Sequence, residues 1–405
     1  MSSTPVTKTE LQSVAILSLG FGLVGIDRFL ISTMYPTIAK DLHLNYSDIG
    51  IIAGALAISW GIAALFMGNY ADKIGHRRVL VGSLIAFSLM IGASGLAAGL
   101  GGLVLVRIVM GFADGAYTPS SIAATVNVSP PARHGRNVGM QQTMVTLFGL
   151  GFAPILVTYL FSKGVDWRYV FSIFLLPGLI VAWATWRIIP AKITPVETRS
   201  TLADWRATFQ YRNIRLLMLG MFCWLTTIIT LSVFLPNYLL DHLHMSSAQM
   251  GAIMPAIGFG SVAGNLLLGG LSDRIGRKPV MVLGSIGTFI SLIVLSHTGA
   301  NVVLLTAGVF STFLFVAVLI VLTVGPITSE TVPFALMTTA TGMVIAAGEL
   351  LGGGLAPIMS GFLAKRFGID FIFYPPIILM AVGIVICCAL TETYPHTARR
   401  LHQGQ

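Results

Sequence analysis

Charge is what this 405-residue chain has least of: Asp, Glu, Lys and Arg make up 10% of it, while 55% is hydrophobic and the mean hydropathy is +0.86. Soluble domains carry about 25% charged residues. A chain so poor in charge cannot cover a globular surface facing water, so it reads as an integral membrane protein. Cysteine is equally scarce. Cys223 and the adjacent Cys387 and Cys388 all lie in apolar runs, which excludes a disulfide framework and any thiolate metal spacing. No histidine falls near the middle of an apolar run, so no imidazole set for a metal is in view. Nucleotide-binding motifs are missing too, which excludes an ATP-driven pump. The N-terminal Ser, Thr and Lys residues do not make a cleavable signal peptide. No cofactor and no covalent chemistry is implied, so the chain does not read as an enzyme.

Apolar runs are what it has in plenty. A bilayer-crossing helix needs about 20 mostly apolar residues. That ruler marks Val14–Tyr35, Ile49–Tyr70, Val79–Ala98, Leu103–Val126, Val138–Phe161 and Tyr169–Ile189 in the first half. In the second half it marks Ile214–Leu240, Gly251–Leu271, Val280–His297, Val302–Pro326, Ala335–Leu363 and Phe371–Leu390. The expected fold is all-α, with twelve transmembrane helices in two six-helix bundles. Residues 1–189 and 213–405 form the bundles, and the polar stretch 190–212 links them.

The net charge of +9 invites a nucleic-acid reading, but the basic residues sort by membrane side instead. With both termini cytoplasmic, that side receives Lys8, Lys73, Arg77, Arg78, Arg133 and Arg136. Arg187, Lys192, Arg199, Arg206, Arg212 and Arg215 follow in and around the linker. Arg274, Arg277, Lys278, Arg399 and Arg400 complete 17 of the 24. The opposite side has five, Lys40, Lys163, Arg168, Lys365 and Arg366. The bias orients the chain and accounts for its basicity without nucleic acid.

One sentence of sequence is written twice. Gly68-Asn-Tyr-Ala-Asp-Lys-Ile-Gly-His-Arg-Arg78 closes the second apolar run, and Gly269-Gly-Leu-Ser-Asp-Arg-Ile-Gly-Arg-Lys278 closes the eighth. In register, Gly68 pairs with Gly269, Asp72 with Asp273, Gly75 with Gly276, His76 with Arg277 and Arg77 with Lys278. The first Gly allows close helix approach, and the Asp can cap a helix or pair with a base. The later Gly permits a tight reversal. Charges so dense belong at the membrane surface. A motif repeated half a chain away means two similar halves. G-x-x-x-D-[RK]-x-G-x-[RK] between helices two and three resembles the signature of the major facilitator superfamily. The resemblance spans essentially the whole chain and implies that both turns act as cytoplasmic gating latches.

Ionisable residues inside spans are costly and become functional candidates. Helix one holds Asp27 and Arg28, helix four Arg107 and Asp114, and helix eleven Glu349. Neighbours on a helix point about 100° apart, so Asp27 and Arg28 need not satisfy each other. Arg28 offers a permanent charge and a planar fork suited to a carboxylate; its structural alternative is an ion pair with Asp27 or Asp114. Arg107 and Asp114 are two turns apart on nearly one face. Desolvation and a nearby Arg act on Asp114 in opposite senses, which suits a carboxylate that gains and loses a proton. Glu349 lies in a glycine-rich stretch that lets helix eleven bend, and offers a second proton site or a polar contact. Trp60, Gln141, Gln142, Trp224, Thr227 and Asn237 are the polar and aromatic residues that could complete a pocket. Asn45-Tyr-Ser47 matches a glycosylation sequon.

Gly25-Ile-Asp-Arg28, Asp41-Leu-His-Leu44, Arg107-x-x-x-Gly111-x-x-Asp114-Gly and Asp166-Trp-Arg168-x-x-Phe171 together resemble the anion:cation symporter branch. That branch includes sugar-acid/proton symporters and vesicular organic-anion carriers. The resemblance matches Asp27 and Arg28 to its helix-one pair, and Arg107 and Asp114 to its helix-four Arg and acidic residue. Asp114 stands where the branch usually has Glu, and Gly25 where it usually has an aromatic. Organophosphate antiporters would add an Arg in helix seven, where this chain has only Arg215 at the edge. Drug antiporters carry G-x-x-x-G-P-x-x-G-G in helix five, of which Gly149-Leu-Gly151-Phe-Ala-Pro154 is an incomplete version. The expectation is proton-driven symport of a small organic anion, a sugar acid or other monocarboxylate, by a monomer in the bacterial inner membrane. Arg28, Trp60, Gln141, Trp224 and Asn237 would bind substrate, and Asp27, Asp114, Glu349 and Arg107 would couple protons. The alternative is a proton-coupled exporter of amphiphilic compounds.

Overall fold

A computed structural model describes residues 7–130, 133–190, 201–333 and 336–394. Among them are twelve helices long and apolar enough to cross a membrane. In chain order these are α1 (Lys8–Asp41), α2 (Tyr46–Ile74), α3 (His76–Ser94), α4 (Leu100–Val128), α5 (His134–Ser162) and α6 (Trp167–Ile188). The second set is α7 (Arg212–His242), α8 (Ser247–Ile275), α9 (Arg277–Ser296), α10 (Val302–Thr331), α11 (Met337–Phe367) and α12 (Ile369–Ala389). We call the end where α2 meets α3 and α8 meets α9 the basic end.

Side chains at the ends decide where the helices begin. Thr7 accepts from the Glu10 amide to start α1, and Asp166 caps α6. Asn45 and Asp48 make a reciprocal capping box at α2, which is the structural use of the sequon asparagine. Ser246 and Gln249 do the same at α8. Gly75 (φ 97°) and Gly276 (φ 103°), the later glycines of the repeated turn, each adopt a left-handed conformation that breaks one helix and starts the next.

Several helices outrun the apolar ruler. Helix α1 begins at Lys8 instead of Val14 because buried Glu10 finds Arg133, so polar residues extend it past the hydrocarbon. The expected start of helix eleven, Ala335, lies outside the described residues, as do Lys192, Glu197, Arg199, Arg399 and Arg400. The linker is not merely a polar strand: Leu202–Gln210 is helical, boxed by Thr201 and Asp204. The Thr201 amide and hydroxyl hold the Asp204 carboxyl below its usual range.

Small residues fix how the helices cross. On α4, a Cβ at Gly111 or Gly115 would strike the backbone of Leu56 or Trp60 on α2. On α8, a Cβ at Gly260 or Gly264 would strike Phe310 or Leu314 on α10. The same close crossing is thus built in each half. Between the halves, backbone meets backbone away from the basic end. Gly50 lies on Pro357, Gly361 on Tyr46, and Gly258 on Gly151. The Tyr46 hydroxyl donates to Asp241 across the same seam (3.1 Å). Gly139 on α5 and Gly342 on α11, toward the basic end, have open space instead.

Candidate functional site

Arg28 is the residue at which the two halves meet in charge. Its two terminal nitrogens donate to the two carboxylate oxygens of Glu349 on α11, at 2.9 and 2.7 Å. Both side chains are buried, 9% and 8% exposed. The guanidinium also lies over the Trp60 ring, 4.7 Å from its centroid, with Phe29 at 5.7 Å. Stacking and a bidentate pair together hold the fork in one plane. A narrow cavity opens beside it, lined by Arg28 and Arg107 with apolar Phe29, Leu56, Ile229 and Val233.

Asp27 goes the other way, as the helical angle between neighbours requires. It borders a small void with Phe87, Ser88, Phe174 and Gly178, between α1, α3 and α6. Neither of its carboxylate oxygens has a hydrogen-bond partner. Arg107 reaches from α4 to donate to the Asp27 backbone carbonyl, pinning α1 to α4. Its Nε and second terminal nitrogen are buried without partners. Asp114 is fully buried, also without partners, and within electrostatic reach of Asp27, Arg28, Arg107 and Glu349. Burying charge unpaired is costly. Five ionisable groups therefore form one electrostatic cluster inside the helix bundles. The structural alternative for Arg28, a pair with Asp27 or Asp114, gives way to Glu349, because Asp27 faces away and α11 brings a carboxylate to the fork.

The other expected pocket residues do not join them. Gln141 binds Thr125 (2.9 Å) and Ser121 on α4, deep inside the first bundle toward the basic end. Trp224 packs along Gly220 and against Gly383 on α12, inside the second bundle. Asn237 donates to Asp241 one turn on (3.0 Å), beyond Val233 and toward the opposite end. The Thr227 hydroxyl is taken by the Cys223 carbonyl of its own helix (3.2 Å). Each polar group is satisfied locally or packed in its own half, so none reaches Arg28.

Two motif fragments do meet. Asp41 at the end of α1 accepts from Trp167 Nε1 (3.2 Å) and Arg168 (2.6 Å) at the start of α6. Gly25 touches the Val145 carbonyl and Gly149 on α5 so closely that an aromatic side chain there has no room.

The repeated turns differ. Arg277 donates to Asp273, Ser272 and Glu330, while Glu392 accepts from the amides of Arg277 and Lys278. Arg77 instead lies over Trp186 (4.3 Å) and reaches the Ile189 carbonyl (3.5 Å). The side chain of Asp72 lies outside the described residues, and Gly68, which has none, falls within α2.

Two six-helix bundles closed around a buried ionisable cluster define a membrane transporter and not an enzyme. The Major Facilitator Superfamily profile matches residues 17–345 and 217–405. The chain belongs to that superfamily. It is 27% identical over 384 residues to a protein named as a metabolite transporter in Haemophilus influenzae, covering 91% of this chain and 92% of that one. Over 393 residues it is 25% identical to the cis,cis-muconate transport protein of Acinetobacter baylyi, covering 90% and 89%. In fold it matches a bacterial homologue of the human lysosomal transporter Spinster in an inward-facing, occupied conformation. There the TM-score is 0.78 at 16% identity, over 95% of this chain and 97% of that one.

Proposed function

We propose that this transporter carries a small organic anion together with protons, as a symporter of the bacterial inner membrane with both termini cytoplasmic. It would work as a monomer by alternating access. Residues 1–189 and 213–405 rock about the central site, and 190–212 is the strap between them. Arg28 receives the substrate carboxylate with Trp60 as one wall, and the apolar flank of the cavity takes the rest of a small acid. Asp114 and Asp27 carry protons. Arg107 holds α1 against α4 and biases both carboxylates. The repeated turns at Gly75 and Gly276, with Arg77 and Arg277, latch the basic end.

The observation that carries this reading is the Arg28 fork, buried between the bundles on Trp60 and presenting two parallel donors across the seam. A permanent cation in that position selects anions and repels lipophilic cations. The muconate relative transports an organic acid by its name, which supports the same class. The test is uptake of labelled gluconate and cis,cis-muconate into proteoliposomes with an imposed pH gradient, counted above uptake by protein-free liposomes. Accumulation that collapses with a protonophore is expected. Accumulation of lipophilic cations alone, or of anions regardless of the gradient, would sink the reading and favour the exporter.

A further inference from the structure

Arg28 already has an occupant. Glu349 presents its two oxygens to the guanidinium as a free carboxylate would, at 2.9 and 2.7 Å, and it comes from the opposite bundle. A second carboxylate cannot take the same two donors while Glu349 keeps them. We propose that Glu349 is a resident carboxylate in the anion site, which an incoming organic carboxylate displaces, and that the displaced Glu349 takes the proton that travels with the anion. The inference rests on the symport reading and adds to it where the proton goes at the moment of binding.

The packing around Glu349 gives the displacement its consequence. A Cβ added to Gly61 on α2 would come into van der Waals contact with the Glu349 Cβ, and one added to Gly353 would meet Glu349, Ala57 and Arg28. From α7, Met221 and Leu225 pack on Gly348, and Thr226 on Gly352. Among the described residues, Asp114 on α4 lies within electrostatic reach of Arg28 and Glu349 and also of Asp27 and Arg107, and Arg107 lines the same cavity as Arg28. Among the described residues Glu349 makes its ion pair with Arg28, while Arg107 is turned to the Asp27 carbonyl, so a substrate that takes Arg28 takes the partner Glu349 has. Left ionised, Glu349 would be a buried, unpaired charge; protonated, it is neutral. Charge at the site is then conserved, with one anion in and one proton on Glu349. The bridge between the bundles is lost in the same event, which frees them to move.

The experiment combines binding with proton counting on the purified protein in lipid nanodiscs. Benzoate and cis,cis-muconate are titrated by calorimetry at pH 5.5 and 7.5, and proton uptake is followed with an indicator dye in weak buffer. Wild type should bind more tightly at the lower pH and take up about one proton per carboxylate that engages Arg28. Glu349→Gln should bind at least tenfold more tightly at pH 7.5, with little pH dependence and no proton uptake. Glu10→Gln, a carboxylate outside the central cluster, should retain the binding-linked uptake. Wild-type binding with uptake unchanged in Glu349→Gln would overturn the inference and leave the symport reading standing. Spin labels at His43→Cys and Lys365→Cys, in a Cys388→Ser background, report the distance across the seam without any ligand. The distribution should broaden to longer distances in Glu349→Gln. If neither anion binds wild type the symport reading fails, and an unchanged distance distribution then overturns the bridge as well.

Discussion

Arg277 and His76 stand at the same point of the repeated turn, yet the halves around them have gone separate ways. Arg277 gathers Asp273 and Glu330, and Glu392 caps the adjoining amides, so the ends of α8, α9 and α10 and the segment after α12 are tied by charge. The offset that takes Asp72 to Asp273 takes Ser129 to Glu330, so the first half lacks that carboxylate. There Ser129 accepts from Asn137, and buried Glu10 is held by Arg133 and Asn137 (2.6 to 3.0 Å). Arg77 stacks on Trp186 of α6. Deep in the membrane the asymmetry reverses: Asp27, Arg28, Arg107 and Asp114 all belong to the first half, with only Glu349 opposite. Duplication kept the glycines and the crossings, while charge was redistributed. Buried mid-helix charge is concentrated in one bundle and the charged network at the basic end in the other.

The largest test of that division is Arg28→Ala, which should weaken carboxylate binding by about 100-fold or more, the equivalent of roughly 2.7 kcal/mol. Calorimetry with benzoate checks it. Arg28→Lys should recover only part, since a point charge cannot make the paired bonds. If Arg28→Ala binds normally, the first bundle is not where the anion is held.

Next comes Arg277→Ala, which strips the latch of its cation. Hydrogen bonds to charged groups are worth about 1.5–3 kcal/mol each, less where solvent screens them, as at the largely exposed Asp273. A net loss of about 2 kcal/mol is expected in thermal unfolding of the reconstituted protein. Glu10→Gln keeps the shape of the first bundle's own tie but removes its charge, and should cost about 1 kcal/mol. Arg77→Ala loses a stacked cation at the membrane surface, worth below about 1 kcal/mol. Equal losses from Arg277→Ala and Arg77→Ala would mean that the two turns are equivalent after all.

The spans and the twofold plan were legible because hydropathy and a repeated turn are local signals. Arg28 and Trp60 stood out as a cation and an aromatic in mid-span. The partner of Arg28 was not legible: Glu349 is 321 positions away, and nothing in either helix encodes the pairing. Helix α1 is apolar on nearly every face because other helices surround it, so no periodicity reports which side looks at the cavity. Gln141 and Asn237 lie apart from Arg28 with partners one helix over and a turn away, and Trp224 packs on Gly220 and Gly383, placements that an apolar run does not spell out.

Two helices that cross the seam, α5 against α8 and α11 against α2, also share an irregularity. Leu147–Phe152 in α5 and Gly348–Leu355 in α11 are wound wider, with π-helical turns at equivalent places in the two halves. Each is a dislocation in the helix's hydrogen-bond lattice, where one residue more than usual is accommodated. A dislocation can glide: exchanging one wide bond for a normal one moves it along by a residue and turns the intervening segment by about 100°. Glu349 is the second residue of such a segment. The backbone therefore supplies a rotary bearing beneath the side chain, so Glu349 can swing off Arg28 while α11 as a whole stays in place.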